Sequence, residues 1–161
     1  MLVDFEKLSD TSKVWIYQSD RPFTAAEEME IRKRIEQFLS SWKRHGDDLK
    51  ASYQIKYNHF IIISADETHH PVSGCSIDAS THFIKQLEKE YGIELLNKTN
   101  TAFRVGDNIN VVPLSSFKQF ASERKIDHKT IVFNNVVSTI RDLNEQWEIE
   151  AGKSWHQRFL N

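Results

Sequence analysis

The densest run of reactive side chains is His69-His70-Pro71-Val72-Ser73-Gly74-Cys75-Ser76-Ile77-Asp78, and Cys75 is the only cysteine. A helix is expected to start near Ser76 or Asp78, and if it begins at Ser76, Cys75 stands just outside its N-terminus. There the unsatisfied N–H groups and the positive end of the macrodipole stabilise a thiolate. A thiolate is a nucleophile, and the same N–H groups, together with Ser76, could hold an oxyanion or a phosphate. Asp78 opposes this, because a carboxylate in the first turn competes for the positive end. A base would have to come from elsewhere, with His69 and His70 the nearest in sequence. His82 lies seven residues further along, about 10 Å of helical rise and too far for a hydrogen bond. It forms an i,i+4 pair with Asp78 instead. The plain alternative is a small cysteine buried beneath a capped helix. A zinc reading with His69 or His70, Cys75 and Asp78 has suitable ligand types, but it lacks a fourth ligand and a known spacing. No metal and no cofactor is therefore assigned.

Two arginines are candidate anion contacts: Arg21, between Asp20 and Pro22, and Arg104. Either could equally be a surface ion-pair former. Asp47, Asp48, Asp66 and Glu67 give no carboxylate pair of argued separation, so a dyad hydrolase has no support. The tripeptide Gly152-Lys153-Ser154 has the ending of a phosphate-binding loop, but the glycine required five positions earlier is Trp147. Only seven residues follow Ser154, and the motif also needs a helix there. ATP binding by a P-loop is set aside.

These groups are carried by alternating strand and helix patterns. Val14-Trp15-Ile16-Tyr17 reads as a strand. Thr24 with Glu27 forms a capping box, and Ile31, Ile35, Phe38, Leu39 and Trp42 follow at helical spacing, which predicts a helix over about Thr24 to His45 closed by Gly46. Tyr53, Ile55 and Tyr57 alternate, Asn58-His59 connects, and Phe60-Ile61-Ile62-Ile63 reads as a central strand, so the two form a hairpin. A second helix runs to Gly92 with Ile77, Ile84, Leu87 and Tyr91 inward. Residues 102–105 and 109–112 predict a further hairpin, stopped by Pro113. Ser115 caps a short helix with Phe117 and Phe120. Residues 130–133 give one more strand, and a last helix opens at Ser138 or Thr139. The expected fold is a single α+β domain over 1–161, with residues 1–12 as a flexible lead-in and a largely antiparallel sheet. The order of the first six elements fits a ferredoxin-like (split βαβ) core with a C-terminal extension.

Composition narrows the partners. In 161 residues, 21 Lys and Arg balance 23 Asp and Glu, a formal charge of −2. That offers no excess of positive charge for nucleic acid or an anionic membrane. One cysteine permits no internal disulfide and fits a reducing compartment. The longest apolar run is four residues, against the ~20 that cross a bilayer, and the acidic N-terminus has no signal-peptide pattern. A cytoplasmic protein is expected.

Several segments resemble a known family. They are Val14-Trp15-Ile16-Tyr17-Gln18-Ser19 with Arg21-Pro22-Phe23-Thr24, then Tyr57-Asn58-His59-Phe60-Ile61-Ile62, and Gly74-Cys75-Ser76-Ile77-Asp78-Ala79-Ser80. Thr130-Ile131-Val132-Phe133-Asn134-Asn135 and Ser154-Trp155-His156-Gln157-Arg158-Phe159-Leu160 extend the likeness over nearly the whole chain. The family is one of small uncharacterised bacterial proteins of about 160 residues, often labelled "ABC transporter ATPase". The resemblance implies that label and no site residue, and the residues themselves lack the P-loop the label requires.

With no complete catalytic constellation, the leading expectation is a non-enzymatic protein that binds another protein or a small ligand. Four Trp, four Tyr and ten Phe supply candidate anchors, Trp155 in the polar tail foremost. The alternative is a thiol-dependent, hydrolase-like enzyme in which Cys75 attacks and His69 or His70 serves as base.

Overall fold

Alternating and unbroken apolar runs set the strands, and helical stripes cover them. The computed structural model describes residues 1–68 and 71–161, so the proposed bases His69 and His70 lie outside the described residues. In chain order the elements are β1 (Lys13–Gln18), α1 (Ala25–Ser41), β2 (Lys43–Arg44), β3 (Asp47–Asp48), β4 (Ala51–Lys56), β5 (Phe60–Ala65) and α2 (Gly74–Tyr91). There follow β6 (Asn100–Val105), β7 (Asn108–Pro113), α3 (Leu114–Ser122), β8 (Ile131–Phe133), α4 (Ile140–Gln146) and β9 (Glu148–Glu150). Short 3-10 turns occupy Phe5–Lys7, Ala151–Lys153 and Trp155–Phe159. The fold is α+β, and every strand pair is antiparallel. Among the described residues no helix is long and apolar enough to cross a membrane.

The chain divides into two compact units. The first comprises Met1–Leu96 and Ser138–Arg141, and its main sheet has the order β1-β5-β4. The apolar run Phe60-Ile61-Ile62-Ile63 is the central strand, and all of β5 is buried. Register places Trp15, Tyr17, Tyr53, Ile55, Ile61 and Ile63 on one face. That face packs against Ile31, Ile35 and Leu39 of α1 and Phe83, Ile84 and Leu87 of α2, so both helices cover the same side. Phe38 of α1 stacks on Phe83 of α2 at 4.6 Å between ring centroids. The N-terminal segment is tied to this unit. Leu2 bridges Ala51, Leu8 and Ser12 are buried, and Asp10 accepts from Arg141 at 2.7 Å.

The second unit comprises Asn97–Val137 and Asp142–Asn161, with the sheet β7-β6-β8-β9. Its core holds Phe103, Phe117, Ile126, Val132 and Ala151, with Val112, Phe120, Phe159 and Leu160 packed against them. This arrangement corrects the ferredoxin-like expectation. The order β1-β5-β4 is the one that motif begins with, but the strand after the second helix would have to return beside β1. That strand, β6, pairs with β7 and β8 instead. Its six-residue partner β7, joined by a two-residue turn, takes up one edge of β6 through purely local pairing.

Two chain reversals also differ from expectation. Helix α1 ends at Ser41 with Trp42 as its C-cap, and Gly46 (φ 85°) serves the β2–β3 hairpin, not a helix end. The turn between β4 and β5 is Tyr57-Asn58, both left-handed (φ 56° and 57°), with His59 N–H donating to the Lys56 carbonyl at 3.1 Å.

Candidate functional site

Helix α2 starts earlier than its sequence suggests, because Ser73 caps it. The Ser73 Oγ accepts from the Ser76 N–H at 3.2 Å and lies 2.7 Å from the Ser76 Oγ. The helix therefore begins at Gly74, and Cys75 sits inside its first turn rather than before it. The thiol is exposed, which excludes the reading of a small cysteine buried beneath the helix. Asp78 now falls beyond the first turn and no longer competes for its N–H groups. The Ile77 N–H bonds back to the Ser73 carbonyl, leaving the Gly74 and Cys75 amides as the unclaimed donors of the turn among the described residues.

The framework behind this turn is closed. Trp42 donates its indole N–H to the Ser76 carbonyl at 2.9 Å, and the buried Ser76 hydroxyl donates to the Lys43 carbonyl at 2.6 Å. These two bonds clamp the end of α1 and strand β2 onto the start of α2. Arg44 reaches the loop before α2, donating from Nε to the Pro71 carbonyl at 2.7 Å. Glu67 closes the same loop by accepting from the Val72 N–H at 2.8 Å. Ser76, expected among anion-binding residues, is thus a buried fastener, while Gly74, Cys75, Ile77, Asp78 and Ala79 face solvent. Nothing local in the sequence marks Arg44, since its partner lies 27 positions away.

No described side chain hydrogen-bonds the Cys75 thiol. His82 is not paired with Asp78; its ring nitrogen lies 3.3 Å from the Gln86 side-chain amide. Among the described residues no group of three or more His, Cys, Asp or Glu could hold a metal ion.

The two arginines lie elsewhere. Arg21 forks onto Glu27, each guanidinium nitrogen 2.8 Å from a carboxylate oxygen, and also donates to the Tyr91 carbonyl at 2.8 Å. Glu27 in turn accepts from the Thr24 N–H, so one carboxylate completes the capping box and holds Arg21. The Arg21 bond, then the Thr24 bond, depress the Glu27 carboxyl to about 2. Arg104 bonds Glu148 at 2.5 Å across the second unit's sheet and lies 5.5 Å from the Phe133 ring. Each arginine is committed to a carboxylate of its own unit, and neither is brought to Cys75 by its own unit's contacts.

The Gly-Lys-Ser tripeptide has a packing explanation. A Cβ at Gly152 would meet Nδ1, Cβ and the backbone oxygen of His128 at 2.9, 3.0 and 3.1 Å. Glycine is required for that approach, and the residues around it form 3-10 turns in place of a phosphate-facing helix. Trp155 folds onto its own unit, stacked on His156 at 3.8 Å and edge-on to Phe159. Sequence reasoning missed His156. It is 1% exposed, also contacts Phe117, and has Nδ1 2.5 Å from the Ser154 hydroxyl. The signal was present in the Trp-His-Gln-Arg-Phe tail, whose aromatics leave little room for a solvated ring.

Comparison of this chain with protein-family models, with curated proteins and with solved structures found no match.

Proposed function

We propose that this chain is a non-enzymatic cytoplasmic protein, of the small bacterial family its segments resemble, which binds another protein or a small ligand through the start of α2. The observation that carries this reading is the contrast within one helical turn. Ser73, Ser76 and Trp42 are locked into internal hydrogen bonds, while Cys75, Ile77 and Asp78 stand outward as a small mixed surface. A rigid frame presenting a thiol, an exposed isoleucine and a carboxylate loses little conformational entropy on binding. Because Cys75 is the only cysteine, a benzophenone maleimide can be attached there alone and photolysed in the bacterial cytosol. A discrete adduct, lost when Ile77→Asp is added, supports the reading. Adducts unchanged by that substitution sink it.

A second reading is favoured by the exposure of Cys75 on the first turn of α2: a thiol-dependent hydrolase with the Gly74 and Cys75 amides as oxyanion donors. Its test is turnover of a thioester by wild type and Cys75→Ala. Equal rates end it.

A further inference from the structure

We propose that β7 is a self-pairing edge: a second copy of this chain adds antiparallel to it about a two-fold axis at Asn110. Among the described residues, each other sheet edge of three residues or more is bridged at one end or carries charge. Strand β1 is bridged by Thr139, and Ser138 accepts from its Val14 N–H; β4 is bridged by Leu2; β9 is three residues long with Glu148 and Glu150 at its ends. Strand β7 has six residues, Asn108-Ile109-Asn110-Val111-Val112-Pro113, with no charge, and a proline only at its last position. Native edges normally carry short strands, charges or bulges to prevent pairing, so a long neutral edge is itself informative.

Register fixes which groups are available. The two-residue turn Gly106-Asp107, with Gly106 at φ 61°, makes Val105 and Asn108 the hydrogen-bonded closing pair. Hydrogen-bonded pairs then alternate, so Phe103↔Asn110 and Thr101↔Val112 exchange bonds, whereas Ile109 and Val111 turn their N–H and C=O groups away from β6. Pro113 falls in the outward set, where its missing N–H costs nothing to the ladder.

With Ile109 opposite the second copy's Val111, four backbone hydrogen bonds form, two at each Ile–Val pair. The Asn110 carboxamides meet across the axis in a close, non-hydrogen-bonded pair. Carried two residues further, the same register sets the exposed Asp107 of each copy opposite Pro113 of the other. Pro113 is the N-cap of the nine-residue α3, and no side chain caps that helix. The carboxylate thereby faces the positive end of a helix, twice per dimer. That charge complementarity selects a second copy over an unrelated strand. A strand pair of this length falls below the ~1,200 Å² of the smaller stable interfaces, so the dimer is weak, with a dissociation constant on the order of 100 μM.

Sedimentation velocity of the full chain from about 5 μM to about 500 μM tests this. Wild type passes from monomer to dimer, and Asp107→Lys raises the dissociation constant roughly tenfold. Val111→Pro removes an outward N–H while keeping the non-hydrogen-bonded Ala102 pair, and stays monomeric. If it fails to fold, the exposed-turn variant Asp107→Lys still decides. Wild type monomeric throughout overturns the proposal, including the case in which it binds an added strand-forming peptide. So does a dimer indifferent to Asp107→Lys.

Discussion

His156 makes the second unit sensitive to acid, and the size of the effect follows from its surroundings. The imidazole is buried against Trp155 and Phe117, with the Ser154 hydroxyl on Nδ1. Burial disfavours the imidazolium and pushes this histidine down to about 4, from an ordinary 6.5. Between those values the unfolded chain binds the proton and the folded chain does not. Its contribution is therefore fully present above pH 6.5 and is lost as pH falls through 6.5 toward 4. Over pH 7.5 to 4.5 the linkage amounts to about 2.5 kcal/mol. The assay is urea unfolding by tryptophan fluorescence across that range, for wild type and His156→Phe, which keeps a ring but cannot titrate. Carboxylates contribute the same background to both. Wild type should lose about 2.5 kcal/mol more than the variant. Parallel curves would mean that His156 protonates equally in the folded and unfolded chain.

Glu27→Ala removes one partner of the capping box and the Arg21 fork, and should lower stability by about 1–2 kcal/mol in thermal unfolding at pH 7. Because its carboxyl is held near 2, the stability it supplies is present above pH 4.5 and fades as pH falls toward 2, so wild type and variant should converge in acid. Gly152→Ala forces a Cβ against the side chain and backbone of His128 and should cost about 1–3 kcal/mol, read as a lower urea midpoint. Trp42→Phe deletes the buried bond to the Ser76 carbonyl and should cost about 1 kcal/mol; faster amide exchange over residues 74–77 would report the loosened start of α2.

How much of this was legible depended on range. The Thr24–Glu27 capping box, the α1 stripe and the central β5 strand are local signals, and each forms as its residues dictate. The hairpin from Asn100 to Pro113 was likewise visible in its glycine turn. Helix α2 starts two to four residues before the Ser76 or Asp78 start that the sequence suggests, because Ser73 caps it and the Ser76 hydroxyl turns inward to the Lys43 carbonyl. Ile77 reads as inward but is exposed, because the buried stripe of α2 centres on Ser76, Ser80, Phe83, Ile84 and Leu87 and leaves Ile77 at its margin. Similarly, α3 begins at Leu114 behind Pro113, not behind Ser115. Which sheet β6 joins was not legible, because strand pairing over tens of residues leaves no periodic trace. Arg104 reads as an anion contact for the same reason, since Glu148 lies 44 positions away, whereas the Glu27 partner of Arg21 is only six positions off and is already spoken for by the capping box.

Both functional readings require an open first turn of α2 with its thiol turned to solvent. Iodoacetamide alkylation of the native chain, followed by intact mass, measures this at the one cysteine. Single, complete modification under native conditions, at a rate within about tenfold of the urea-unfolded chain, is predicted. A thiol that reacts only after unfolding would contradict the geometry of the site and both functional readings built on it.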